Sequence, residues 1–153
     1  MRGAASDRPD SGDAAFVDVR QALEKLKPLL EGLVGGRELR FCVEDVRLPV
    51  LQGTALVALV NELVSNAVKH GDGAIELSVA VEEGRATLAV RDHGPGFPPG
   101  FDASASASTG LELVQSMGGW DLQGQVEFGN AADGGARVTV RFPLAGEAGK
   151  DAV

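Results

Sequence analysis

The feature that most restricts the fold is a run from Leu48-Pro49-Val50 to Gly71 that is apolar almost throughout. Val50, Leu51, Ala55, Leu56, Leu59, Val60, Leu63, Val64, Ala67 and Val68 recur at three- and four-residue steps, the period of a helix. Pro49 suits its first turn, and Gly71 suits a left-handed residue that stops it. So greasy a helix has to be covered by other elements, which makes it the natural organising centre of the chain.

At about 100° per residue, Glu62, Asn66, Lys69 and His70 share one stripe of this helix. A carboxylate buried without partners is costly, so packing alone does not select such a stripe. A solvated face is the plain alternative. The other is a polyphosphate and metal site, in which a hard cation takes oxygen ligands and phosphate takes a positive point charge.

Composition removes several classes. The 153 residues suit one domain with a real core, and 44% hydrophobic with 24% charged residues is ordinary for a globular protein. A net charge of -8, with no basic block, argues against a general nucleic-acid binder. The single cysteine, Cys42, rules out an intrachain disulfide framework and reads as an inert core thiol in a reducing compartment. No apolar run reaches about 18 residues, and Met1 to Ala15 lacks the apolar centre of a signal peptide, so a cytoplasmic location is expected.

Residues 1–15 read as a disordered tail, 146–153 as a second flexible tail, and 16–145 as the one domain. Asp18 and Gln21 resemble a capping pair ahead of a helix that Pro28 should kink or split and Gly35-Gly36 should end. Glu38 to Val43 alternates as a strand, with Leu39, Phe41 and Val43 on one face. After the long helix, Ala74 to Val81 and Ala86 to Val90 form a hairpin across Glu82-Glu83-Gly84-Arg85. Arg91 to Gly100 cannot be regular structure. Phe101 to Thr109 is a low-complexity Ala/Ser segment, and Gly110 to Met117 a short helix ended by Gly118-Gly119. Met117 and Trp120 read as core. Gln125 to Phe128 and Arg137 to Phe142 form the last hairpin, across Asn130 to Gly135. The expected fold is α/β, a two-layer sandwich with about three helices on one face of a mixed, mostly antiparallel sheet of about five strands.

Two glycine motifs carry further chemistry. Asp92-His93-Gly94-Pro95-Gly96 after a strand is either a sharp turn or a place where the backbone closes on a flat ligand, with Asp92 presenting an acceptor. Ser108-Thr109-Gly110-Leu111 is either an ordinary N-cap or a helix N-terminus whose free N–H groups hold phosphate.

Their order is more telling than either motif. A helix bearing Glu62 and Asn66, a strand ending in Asp-x-Gly-x-Gly, a loop, then Thr-Gly-Leu opening a helix resembles the GHKL (Bergerat-fold) ATPase superfamily of gyrase, Hsp90 chaperones, histidine kinases and MutL. The nearest likeness is the catalytic domain of sensor histidine kinases, over Phe16 to Leu144. The segment 61–71 and the run from Gly134 to Leu144 also look like the subfamily that resembles the anti-sigma kinases.

The resemblance implies ATP and Mg2+ as cofactors. It places Asn66 on the metal and Glu62 at the catalytic acid/base position, with Lys69 offsetting phosphate charge and His70 beside the nucleotide. Asp92 would accept from the adenine amino group, a position where guanine presents a carbonyl, so ATP is preferred over GTP. Gly94 and Gly96 would give the base its slot, and Phe101 to Thr109 the lid. Thr109, Gly110 and Leu111 would meet the phosphates. Two positions depart from the family pattern, Ser108 where a glycine is common and Ala136 where a threonine is common.

Both histidines, His70 and His93, lie inside the nucleotide motifs, so neither reads as a phosphoacceptor. The chain is therefore expected to be a catalytic fragment or a stand-alone protein, monomeric, with no nucleic-acid partner and no membrane span. It would pass the γ-phosphate to a histidine on a dimerisation/phosphoacceptor domain that serves a response regulator. The alternatives are an anti-sigma-factor-type serine kinase that binds a sigma factor and phosphorylates an antagonist, or an ATP-binding module without phosphotransfer.

Overall fold

A computed structural model describes residues 16–101 and 109–144. The tails and most of the Ala/Ser segment expected as a lid lie outside the described residues. The apolar run forms helix α2 (Val50–His70), which buries Gly53, Ala55, Leu56, Leu59, Val60, Leu63, Val64 and Ala67. Full burial of each leucine contributes on the order of 1.5–3 kcal/mol, so this helix anchors the core.

Around it the chain runs β1 (Phe16–Asp18), α1 (Val19–Val34), β2 (Leu39–Val43) and β3 (Arg47–Pro49) before α2. It continues through β4 (Ile75–Glu82), β5 (Arg85–Arg91), α3 (Thr109–Ser116), a π-helical turn (Met117–Asp121), β6 (Gln125–Asn130) and β7 (Ala136–Pro143). The main sheet has the order β2-β4-β5-β7-β6. β2 and β4 are parallel, a pairing that needs a long crossover, and α2 lies within it. The other pairs are antiparallel.

Register places the apolar residues in rows. Val79 faces Leu88, Leu88 faces Val140 and Val140 faces Val126; one row on, Leu77, Val90, Val138 and Phe128 align in the same way. Since side chains alternate, both rows lie on one face, and the helices cover it. The β4–β5 turn has positive φ at both central residues, Glu83 (52°) and Gly84 (76°), the combination a two-residue hairpin needs. The two-layer fold with three helices on a mixed five-stranded sheet is as expected.

Several local expectations are corrected. Pro28 does not split α1, which is one continuous helix capped by Asp18, whose carboxylate accepts from the Gln21 N–H at 3.1 Å. Pro28 and Glu24 are both exposed, so the Glu24 carbonyl left without its i+4 donor can turn to water. Gly71 is not left-handed: its φ of -107° and ψ of -165° are extended. Gly118-Gly119 do not end α3. The helix widens into the π turn, closed by Leu122 N–H to Met117 O at 3.0 Å, and a side chain at Gly118 would collide there with Val126. Met117 is buried, but Trp120 is 82% exposed on that turn. Cys42 is exposed too, since it alternates with the inward Phe41 and Val43 of β2. A second small sheet, β1 with β3, pairs Val17 with Leu48 and had no alternation long enough to announce it.

Candidate nucleotide site

The C-terminal half of α2 meets the segment after β5 through contacts that only glycine permits. Asp92 follows β5 and keeps its ladder going, its N–H donating to Ala136 O at 3.0 Å. Its side chain is buried, at 3% exposure. Oδ1 accepts from the Gly94 N–H at 2.8 Å and from the Ala136 N–H at 3.4 Å. A Cβ at Gly71 would overlap the Asp92 carboxyl, and one at Gly94 would lie 2.7 Å from the Asp72 nitrogen. Gly71 is thus needed for space, and it lets the acid lie directly against the end of the helix.

Arg37 fixes that helix end from outside. Its guanidinium donates to Gly73 O at 2.8 Å, just past the helix, to Val68 O at 3.3 Å in its last turn, and at 3.5 Å to Ala67 O, which also accepts the Gly71 N–H.

Between α2 and the loop lies a cavity of about 250 Å³. Leu63, Asn66, Ala67 and His70 line it from α2, Val90 and Asp92 from β5 and its end, and Ala136 and Val138 from β7. Gly96, Phe97, Pro98 and Phe101 close the remaining side. The walls are mostly apolar with a few convergent polar groups, the usual composition of a small-molecule site.

Of the residues expected at the site, Asn66, His70, Asp92 and Gly96 are brought together around this cavity. Gly94 acts behind it, through its close approach to the helix end. Glu62 is half-buried one turn before Asn66, and Lys69 is exposed; both are on α2 outside the cavity lining. Thr109, Gly110 and Leu111 begin α3, but their side chains lie outside what the structure describes, as does Ser108. Ala136 lines the cavity and also holds Asp92 through backbone bonds to and from that residue.

Asn66 Nδ2 is buried with no hydrogen-bond partner. A native fold rarely leaves such a group unpaired without a reason, and a ligand is one. Among the described residues no cluster of three or more His, Cys, Asp or Glu could hold a metal. The unpaired Nδ2 is a donor suited to a ligand oxygen; a cation at Asn66 would be held by the amide oxygen and would need its other oxygens from phosphate and water.

Sequence reasoning missed the groups that support the loop. Phe97 stacks on Phe101, with centroids 4.4 Å apart and planes at 18°, and Phe128 of β6 meets both edge-on at 6.0 and 6.3 Å. Arg91 Nη2 donates to Gly134 O at 2.7 Å and pairs with Asp133 at 3.0 Å, tying the β6–β7 turn to the start of the loop. His93 Nε2 lies 2.8 Å from Glu76 Oε2, which Arg40 also reaches at 2.9 Å. The His93 bond, followed by the nearby Arg91 charge, outweighs partial burial and holds the Glu76 carboxyl below its usual range. Asp133 is lowered as well, chiefly by its bond from Arg91. Apart from Phe97 and Phe101, which are four residues apart, these partners are distant in sequence, and no local pattern marks them.

A helix ending on a buried acid, a glycine-bracketed loop and an apolar cleft together form a candidate small-molecule site. The family model for the "Histidine kinase-, DNA gyrase B-, and HSP90-like ATPase" matches residues 52–146, and the chain belongs to that family. Among curated relatives, the sensor histidine kinase PdtaS of Mycobacterium tuberculosis is 33% identical over 99 residues, covering 61% of this chain and 20% of its own length. A probable sensor histidine kinase HK of M. tuberculosis is 28% identical, covering 92% of this chain and 40% of the relative. The chain therefore spans well under half of these relatives. Among solved structures, the histidine kinase domain of the Erythrobacter litoralis EL346 blue-light activated kinase matches 95% of this chain and 67% of its own, with a TM-score of 0.75 at 20% identity. The ATP binding domain of PrrB from M. tuberculosis matches 84% of this chain and 96% of its own, with a TM-score of 0.73 at 24% identity. These two likenesses support the fold.

Proposed function

We propose that this chain is the ATP-binding catalytic domain of a sensor histidine kinase, which delivers the γ-phosphate of ATP to a histidine on a partner domain. The observation that carries the reading is the single cavity joining Asn66 and His70 of α2 to Asp92 and Gly96 of the following loop. Curated relatives bearing the sensor histidine kinase name support the reaction class.

In this reading the adenine enters the apolar slot between Val138 and the Phe97–Phe101 stack, and its amino group donates to the Asp92 carboxylate. The Gly94 and Ala136 N–H groups already on Oδ1, one from the loop and one from β7, hold that carboxylate in place, so recognition needs little reorganisation. The triphosphate runs along α2 past Asn66 and His70, toward the start of α3. Asn66 is the residue that would hold Mg2+. Bound there, the ion would neutralise charge on the β- and γ-phosphates. Lys69, exposed at the same helix end, adds positive charge at the mouth, and Glu62 occupies the acid/base position behind Asn66. A nitrogen of the partner imidazole attacks the γ-phosphorus, the bond to the β-phosphate oxygen breaks, and ADP leaves. The partner histidine belongs to a phosphoacceptor domain that serves a response regulator.

ATP titrations with and without Mg2+ test the site in wild type, Asn66→Ala and Asp92→Asn. Asn66→Ala should lose the metal-dependent part of the affinity, and Asp92→Asn should bind weakly in both conditions. Equal affinity in all three proteins would refute the assignment.

A further inference from the structure

We propose that Asn130, at the end of β6, is a positioning residue for nucleotide binding: its side-chain amide pins the Gly96–Phe97 backbone and thereby fixes the apolar wall of the cavity. The proposal rests on reading that cavity as the ATP site. The loop after β5 has no strand beside it at Phe97, so the N–H and C=O of that residue need partners from elsewhere. Asn130 supplies both. Its Oδ1 accepts from the Phe97 N–H at 2.7 Å, and its Nδ2 donates to Phe97 O at 3.1 Å. A carboxamide presents the same donor and acceptor as a peptide unit, so one side chain replaces a missing neighbouring strand.

The fit is tight on the other side too. Gly96 has φ +82°, and a Cβ there would approach Asn130 Oδ1 to 2.6 Å. The glycine is needed both for its backbone conformation and to let the amide in. Asn130 is itself exposed, so core packing does not call for this residue type. What the two bonds fix is the Phe97 ring, stacked on Phe101, both facing the cavity and braced by Phe128 from the same strand as Asn130. β6 therefore holds Phe97 twice, by backbone through Asn130 and by ring through Phe128.

The experiment measures the affinity of the full chain for adenosine and for ATP, in wild type, Asn130→Ala, Asn130→Asp and Asp92→Asn, each at a temperature where it is fully folded. Asn130→Ala deletes both bonds. Asn130→Asp keeps the shape but sets a carboxylate oxygen against Phe97 O. Both should weaken adenosine and ATP by the same factor, about tenfold for the two bonds, with the Mg2+ dependence of ATP binding unchanged. A merely structural role would lower the denaturation midpoint and leave the affinity of the folded protein as in wild type. If Asp92→Asn binds weakly while both Asn130 variants bind like wild type, this proposal is overturned and the site reading stands. A loss confined to ATP also overturns it, since that would place the effect at the phosphates. If wild type binds neither ligand, the site reading fails and this proposal goes with it.

Discussion

Replacing Gly71 by alanine should disable the proposed nucleotide site without replacing any charged or polar side chain. The backbone there is extended, a conformation open to any residue, so the substitution brings no torsional strain. Its whole effect is steric, because the new methyl would overlap the Asp92 carboxyl. The acid must swing away, and in doing so it gives up the bonds from Gly94 and Ala136. Hydrogen bonds to a charged group are worth about 1.5–3 kcal/mol each, and the Ala136 bond is long, so a total loss of about 2–4 kcal/mol is expected. Gly36→Ala serves as the control, since a Cβ there meets nothing within 4 Å. Urea denaturation should show Gly71→Ala less stable by that amount, and ATP titration should show binding reduced at least as much as in Asp92→Asn. If Gly71→Ala matches Gly36→Ala in both assays, Asp92 is not held against the helix end and the geometry described here is wrong.

Asp92→Asn should also erode the choice of base: an amide can donate to a guanine carbonyl, so the ratio of ATP to GTP affinity should fall by about tenfold in competition binding, and an unchanged ratio would remove Asp92 from base recognition. Glu76 titrates in the fold below its ordinary value of 4.5, so its network stabilises the protein above that pH and the benefit is lost as pH falls through the lowered value. Denaturation midpoints taken from pH 7 to pH 3 should therefore drop less steeply in Glu76→Gln than in wild type; parallel curves would contradict this. Trp120, exposed on the π turn, should emit like indole in water, and Trp120→Ala should change stability by no more than about 0.5 kcal/mol. A blue-shifted emission would show the ring to be covered.

The parts of this protein that were legible in its sequence are those whose cause is local. Four-residue spacing put Asn66 and His70 on one side of α2, and a strand running into Asp-x-Gly-x-Gly put Asp92 at its end; both follow from the period of a single element. Cys42 was misread as core from its chemical type, although the alternation that sends Leu39, Phe41 and Val43 inward must send it outward. Trp120 misled in the same way: burial follows the face a residue lands on, and the π turn rotated that face by an amount no α-helical count contains. Gly71 and Asn130 are a different matter. The glycine is required by a carboxyl 21 positions later, and the amide by a backbone 33 positions earlier. Neither distance leaves a trace in composition or period. The residues that touch the cavity are set by local rules, whereas those that hold its walls in place are chosen by whatever the fold happens to bring beside them. A substitution survey of this domain should accordingly find binding losses at positions outside every local motif, with Asn130 the clearest of them.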